Sequence, residues 1–349
     1  MKKSKIKIKS LTFENRFFVT PMCQYSSNDG SPSSWHYHHL RNLIETGAGG
    51  LVIESTAVSK IGKITVRDLC MYNKTHMKKH KDLLNNLKKI RNIPIILQIS
   101  HSGRKGSAEV PFVKKNTPLK NNLKWKTVAP SPISRHINWP LPKKLSISEI
   151  KNIINEFKNS AKLAFMSGYD GVEIHMAHGY LVHQFCSPIS NKRIDEYGKD
   201  KYKFAIDILK AIKKITPKNK VIGARVTATD HLKDGLKIND AINFTNQLKK
   251  HGLNYVCVSS GGIIPITKMR QYKGFRIKFA SIIKKNCKIL TRTSGMINDE
   301  KTIDKAFKKF KIDFVAMGRK LITDKFFLYN LKELSLKDNL IKQYKYCLK

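Results

Sequence analysis

A chain of 349 residues can hold two ordinary domains or one large α/β unit, and 41% hydrophobic with 9% aromatic residues exclude a disordered polyelectrolyte. No apolar run approaches the roughly 20 residues of a membrane-spanning helix, and MKKSKIKIKS lacks the apolar stretch of a secretion signal, so a cytoplasmic protein without a membrane partner is expected. The 67 Lys and Arg against 25 Asp and Glu leave a charge of +42, which favours polyanions such as nucleic acid or a phosphorylated cofactor. A plainer source of that charge is solvated helix faces such as KKHKDLLNNLKKIRN. Six cysteines without any C-x-x-C suggest neither a disulfide framework nor a metal cradle, and Cys257 reads as core.

In chain order, KIKIKSLTF alternates and predicts a small N-terminal hairpin. Short apolar runs then recur at 16–20, 50–55, 94–99, 171–175, 221–226, 255–259, 289–293 and 314–317. Helical patterns lie between them at 35–46, 77–90, 147–166, 202–215, 239–250, 275–285 and 300–310, with a last one after Asp324. Ser146 and Glu149 fit a capping box at the start of the third. This alternation predicts a single (β/α)8 TIM barrel spanning residues 1–349, because the GxGxxG of a doubly wound sheet is absent. The insert at about 100–145 carries Pro111, Pro118, Pro130, Pro132, Pro140 and Pro142, so it is irregular and predicts a cap after strand three.

Barrels of this kind place their chemistry at the C-terminal ends of the strands. The residues there are Pro21, Met22, Cys23 and Tyr25, then Ser55, Gln98, His101 and Arg104, then His175, His178, Tyr180 and Arg225. Ser259 to Gly262, Ser294, Gly295 and Met296, and Gly318 to Lys320 complete the set. TSGMIN and MGRK suit a phosphate, with glycine admitting close backbone approach and Arg319 supplying donors, although both glycines also suit plain turns. In GVEIHMAHGYLVHQFCSPISNKRIDEYG, from Gly171, Val172, Ile174 and Met176 alternate with Glu173 and His175 as a strand does. His175 and His178 can be two donors to one substrate oxygen, a metal pair, or structural histidines. Tyr180 can be a general acid or a core residue.

These motifs together resemble the Old Yellow Enzyme family of FMN-dependent ene-reductases, in particular its thermophilic-like branch with a cysteine near the flavin. The resemblance runs from about Asn15 to Arg319 through PMCQYSS, GLVIEST, QISHSGRK, EIHMAHGYLVHQFCSPISNKRIDEYG, SGMI and MGRK. It implies an enzyme in which Thr20, Pro21, Met22, Cys23, Ser55, Gln98, Arg225, Gly318 and Arg319 contact FMN. It also implies that NADPH or NADH reduces the flavin, which passes hydride to the β-carbon of an activated alkene. His175 and His178 would hold the substrate oxygen, Tyr180 would protonate the α-carbon, and Tyr25 would line the substrate side.

The chain departs from the family where YGKDKYK replaces the usual YGGSxENR. It departs again where Gln343 and Tyr344 precede Lys345 and Tyr346 instead of an arginine that reaches a neighbouring subunit. A homo-oligomer is expected, with the shared site open. The alternatives are a tRNA-dihydrouridine synthase-like enzyme, which the charge would suit, and a basic binding protein without catalysis.

Overall fold

The alternation inside each apolar run decides the architecture. The computed structural model describes residues 4–120, 122–265 and 269–331. Strands β1 (Ile6–Ile8) and β2 (Leu11–Phe13) form the antiparallel hairpin. The eight expected strands form as β3 (Phe17–Val19), β4 (Gly50–Ala57), β5 (Ile95–Ser100), β8 (Gly171–Met176), β9 (Val221–Thr227), β10 (Tyr255–Ser259), β11 (Leu290–Thr293) and β12 (Phe314–Met317). They close in sequence order into one parallel barrel, β12 pairing with β3. The two short strands β6 (Val128–Ala129) and β7 (Lys143–Lys144) pair within the insert.

Outside the barrel lie α1 (Ser34–Ile44), α2 (Lys74–Ile90), α3 (Ile147–Ser167), α6 (Lys203–Ile215), α7 (Ile238–Lys250), α8 (Ile277–Cys287) and α9 (Glu300–Asp304). The capping box of α3 is present: Ser146 Oγ accepts from the Glu149 amide at 3.2 Å, and Glu149 Oε2 accepts from the Ser146 amide at 2.9 Å. Past α9 the chain passes into a π-helical turn over Lys305–Lys309. Three short helices were not foreseen, α4 (Leu181–Cys186), α5 (Glu196–Lys199) and α10 (Arg319–Thr323), since four to six residues carry too little periodicity to read. The helix expected after Asp324 falls mainly outside the described residues, as do Gln343, Tyr344, Lys345 and Tyr346. Among the described residues no helix is long and apolar enough to cross a membrane.

Successive strand residues face opposite sides, so one set packs against the helices and the other fills the barrel. Val172, Ile174 and Met176 join the outer core with Ile222, Ala224 and Val226. The inward set begins at the bottom with Phe18, Val52, Ile96, Val221, Tyr255 and Phe314, onto which the hairpin lays Ile8 and Phe13. The Phe13 ring stands 5.0 Å from Phe18 and 5.6 Å from Phe314, plugging that end of the barrel. Two residues higher the inward set turns polar, with Gln98, Glu173 and Arg292. Two higher again it reaches His175 and Arg225, which pair in register on β8 and β9. The period of the strand therefore lifts the candidate residues to the open end of the barrel.

Candidate active site at the barrel mouth

His175 ends the polar face of β8, and the chain then turns through His178 and Gly179 with φ of 58° and 74°. A left-handed histidine is strained. The neighbouring loop enforces it: a Cβ on Gly179 would stand 2.2 Å from Gly262 O, and one on Gly262 would stand 2.7 Å from His178 Cα. The turn aims the His178 ring back at its neighbour, with His178 Nδ1 3.2 Å from His175 Nε2 and His178 Nε2 2.5 Å from Ser259 Oγ. The Ala177 amide donates to His175 Nδ1 at 3.2 Å, which leaves the proton of a neutral ring on Nε2. The bonds then run in one direction, from His175 through His178 to Ser259. Burial, followed by the charge of Arg225, holds both imidazoles well below the ordinary histidine range, so they are neutral donors.

Tyr180 sets its ring edge-on to His175 at 4.6 Å, beneath the Lys105 ammonium at 4.9 Å. Burial raises its phenol above the ordinary tyrosine range, with the nearby Cys23 and Asp68 adding to the shift, so Tyr180 keeps its proton at every working pH. Burial likewise pushes the Cys23 thiol up, followed by Glu54, so Cys23 is a thiol with the Tyr25 hydroxyl bonded to it. Tyr25 sits at φ 50°. Ser55 lies at an irregularity of β4, between Ile53 and Thr56, beside the buried Glu54. Glu54 accepts from the Gln24 amide at 2.9 Å and is pushed up to about 8 by burial.

The two glycine loops meet as expected. Thr20, Met22, Ser294, Gly295, Met296, Gly318 and Arg319 line one cavity of about 580 Å³, joined by Arg276 and Lys320. Arg276 was missed, because it stands at the start of α8 and not at a strand end; it donates to Ser260 Oγ at 3.2 Å. His101 and Arg104, counted with the mouth residues from sequence, are both buried, and His101 leaves its Nε2 without a hydrogen-bond partner. Arg104 donates to the carbonyls of Ile133, Ser134 and Ile263, fastening the insert to the loop after β10. The insert's Trp139 packs with Ile64 and Ala108, and Cys23 and Tyr180 lie against that cluster, so the insert does cap the mouth.

A brace below the histidines keeps this geometry. His183 Nδ1 accepts from the Gly179 amide at 2.8 Å, while its Nε2 stands 2.9 Å from Asp230. Ser187 also donates to Asp230 at 2.7 Å, and Arg193 binds the carbonyls of Pro130 and Leu145. The YGKDKYK segment follows directly, its first three residues, Tyr197 to Lys199, completing α5 after Glu196.

The residues present fit FMN. The Thr20 hydroxyl and the Arg225 Nε are buried with no hydrogen-bond partner, as groups reserved for a ligand would be. A Cβ at Gly318 would stand 2.8 Å from the Thr20 methyl and 2.7 Å from the Met22 sulfur, so the bare backbone keeps that cradle open. The same cavity, with Arg276 and Arg319 at its edge, completes the donor set.

The sequence profile of the NADH:flavin oxidoreductase / NADH oxidase family matches residues 4–338. The chain is 35% identical over 328 residues to an NADPH dehydrogenase of Clostridium acetobutylicum, covering 92% of this chain and 91% of that one. It is 32% identical over 329 residues to one of Listeria welshimeri, covering 93% and 92%. Among solved structures, morphinone reductase superposes with a TM-score of 0.76 at 20% identity, over 92% of this chain and 86% of that one. A 2-naphthoyl-CoA reductase gives 0.82 at 21%, over 93% and 51%. These similarities remove the reading of a barrel without catalysis. The chain belongs to the NADH:flavin oxidoreductase family, the Old Yellow Enzymes, and is an FMN-dependent oxidoreductase served by NADPH or NADH.

Proposed function

We propose that this enzyme reduces the C=C bond of α,β-unsaturated carbonyl or nitro compounds. The observation that carries the reading is the neutral His175–His178 pair with Tyr180 set edge-on beside it. Two neutral imidazole N–H groups can be redirected onto one carbonyl or nitro oxygen, where they stabilise negative charge as it develops. That polarisation draws electron density from the β-carbon. Tyr180, kept protonated by burial, holds a proton for the α-carbon.

Thr20 to Cys23, Ser55, Gln98 and Arg225 would hold the flavin ring, and Ser294 to Met296, Gly318 and Arg319 its phosphate. Bound FMN supplies the two-electron carrier between the dinucleotide and the alkene. Arg225 places a positive charge beside the histidines, Cys23 would offer its thiol to the flavin ring edge, and Tyr25 would line the substrate side. The capping insert, through Trp139, supplies the apolar cluster against which Cys23 and Tyr180 pack.

Cyclohexenone tests the reading: after anaerobic reduction by NADPH, its addition should restore the oxidised flavin spectrum and yield cyclohexanone. His175→Ala with His178→Ala should retain FMN but lose phenol affinity. Full phenol affinity in that double variant would overturn the role given to the pair.

A further inference from the structure

The capping insert brings two cations, Arg135 and Lys105, to the side of the mouth where Tyr180 stands. Arg104 holds the Ile133 carbonyl at 3.1 Å and that of Ser134 at 3.4 Å, fixing the backbone just before Arg135. Ser134 Oγ then donates to the Trp139 carbonyl at 2.6 Å, and the Trp139 amide to the His136 carbonyl at 2.9 Å, so the turn is tied across itself. Within that turn the Arg135 guanidinium lies over the Trp139 ring at 4.5 Å and gives one bond, 3.1 Å long, to Asn116 Oδ1. Trp139 belongs to the cluster against which Cys23 and Tyr180 pack. From the barrel side Lys105 places its ammonium over the Tyr180 ring and spends one donor on the His178 carbonyl at 2.7 Å.

Arg135 and Lys105 thus flank the same tyrosine, each with donors to spare. Neither forms an ion pair with an Asp or Glu among the described residues. Burial disfavours the charge of both, with Arg135 and then Arg104 adding to it at Lys105 and the Tyr180 phenol opposing it at Arg135. Like charges gathered in a half-buried pocket destabilise one another, and an anion between them relieves both the repulsion and the unpaired donors.

We propose that Arg135 and Lys105 form an anion-binding position in the substrate pocket, and that the alkene this enzyme takes carries a carboxylate beside the group being reduced. The inference rests on the ene-reductase reading and names its substrate class. Arg135 acts as a fork on the carboxylate and Lys105 as a point charge. The histidine pair is left for the oxygen that activates the double bond.

Matched acids and amides test it with the FMN-loaded enzyme. 4-Hydroxybenzoate and 4-hydroxybenzamide are titrated against the flavin spectrum, and 4-oxocyclohex-2-ene-1-carboxylate and its carboxamide are compared as substrates. The acid should be preferred by about tenfold or more in both assays, as a charge-assisted pair implies. Arg135→Gln should collapse the acid-to-amide ratio towards one, and Arg135→Lys should restore part of it, with thermal midpoints confirming that both variants fold. An unchanged ratio in Arg135→Gln overturns the proposal. So does a variant that raises the KM for NADPH and not for NADH at an unchanged ratio, since the cations would then serve the dinucleotide phosphate. Failure of the wild type to reduce cyclohexenone would overturn the ene-reductase reading, while the hydroxybenzoate titration still reports on the anion position.

Discussion

Glu173 on β8 and Arg292 on β11 form an ion pair across the barrel interior, both fully shielded from solvent. Glu173 also accepts from Tyr255 Oη at 2.9 Å and from Gln98 Nε2 at 2.8 Å. The remaining faces of the Arg292 guanidinium lie over the rings of Phe18 and Tyr255, at 5.0 and 5.4 Å. This polar layer separates the aromatic plug from the pocket and anchors Gln98. Glu173→Gln strands the charge of Arg292, and breaking a buried pair from one side costs about 3–5 kcal/mol. Urea unfolding should show that loss. Tyr255→Phe, which removes one hydrogen bond to a charged group, should cost about 1.5–3 kcal/mol.

Tyr180→Phe keeps the ring beside His175 and removes only the proton. Stopped-flow kinetics should show the flavin reduced by NADPH at close to the wild-type rate. Re-oxidation by cyclohexenone should slow by roughly 10²–10⁴-fold, the usual worth of a placed general acid. Equal slowing of both halves would contradict the assigned role.

Gly179→Ala tests the strained turn. The added Cβ would meet Gly262 O at 2.2 Å, and φ of 74° is unfavourable to alanine. A loss of about 1–3 kcal/mol from the backbone alone is expected. Phenol affinity should fall with it, because His178 is aimed by this turn.

Acid should weaken the fold well above the carboxylate range. Burial holds His80 and His101 down to about 3 and His36 to about 4, whereas the unfolded chain titrates its histidines near 6.5. Below pH 6.5 the unfolded state therefore binds more protons, and stability falls as pH drops through 6.5 towards 4, by up to about 1.4 kcal/mol per pH unit for each such histidine. Glu54, raised to about 8, has the opposite sign, its contribution fading as pH rises from the ordinary carboxyl range through 8. Thermal midpoints from pH 4.5 to 9 measure both arms.

Preference for an anionic alkene should decline as pH rises through 7. Burial, with Arg135 and then Arg104 adding to it, pushes Lys105 down to about 7, so its charge is lost above that pH while Arg135 keeps its own. The acid-to-amide ratio in kcat/KM, followed from pH 6 to 8.5, should fall without vanishing.

The eight strands and most helices were legible because burial on one side leaves a period of two or about 3.6, and these periods survive in a single sequence. His175, Arg225, Ser294 and Gly318 were legible for the same reason, each standing near the upper end of a strand, whereas Thr20 came only from the resemblance. The charged residues inside the barrel were not. Glu173 and Arg292 stand 119 positions apart, and nothing local marks either as the other's partner. Arg276 and Arg135 reach the site from a helix start and a proline-rich turn, segments that carry no periodicity. Sequence alone determined the barrel, its open end and the family motifs, since those depend on neighbouring residues along one strand or loop. Only the tertiary structure decided which charges face one another, because that depends on strand register and on where the insert folds back, and both are set by contacts between residues far apart in the chain.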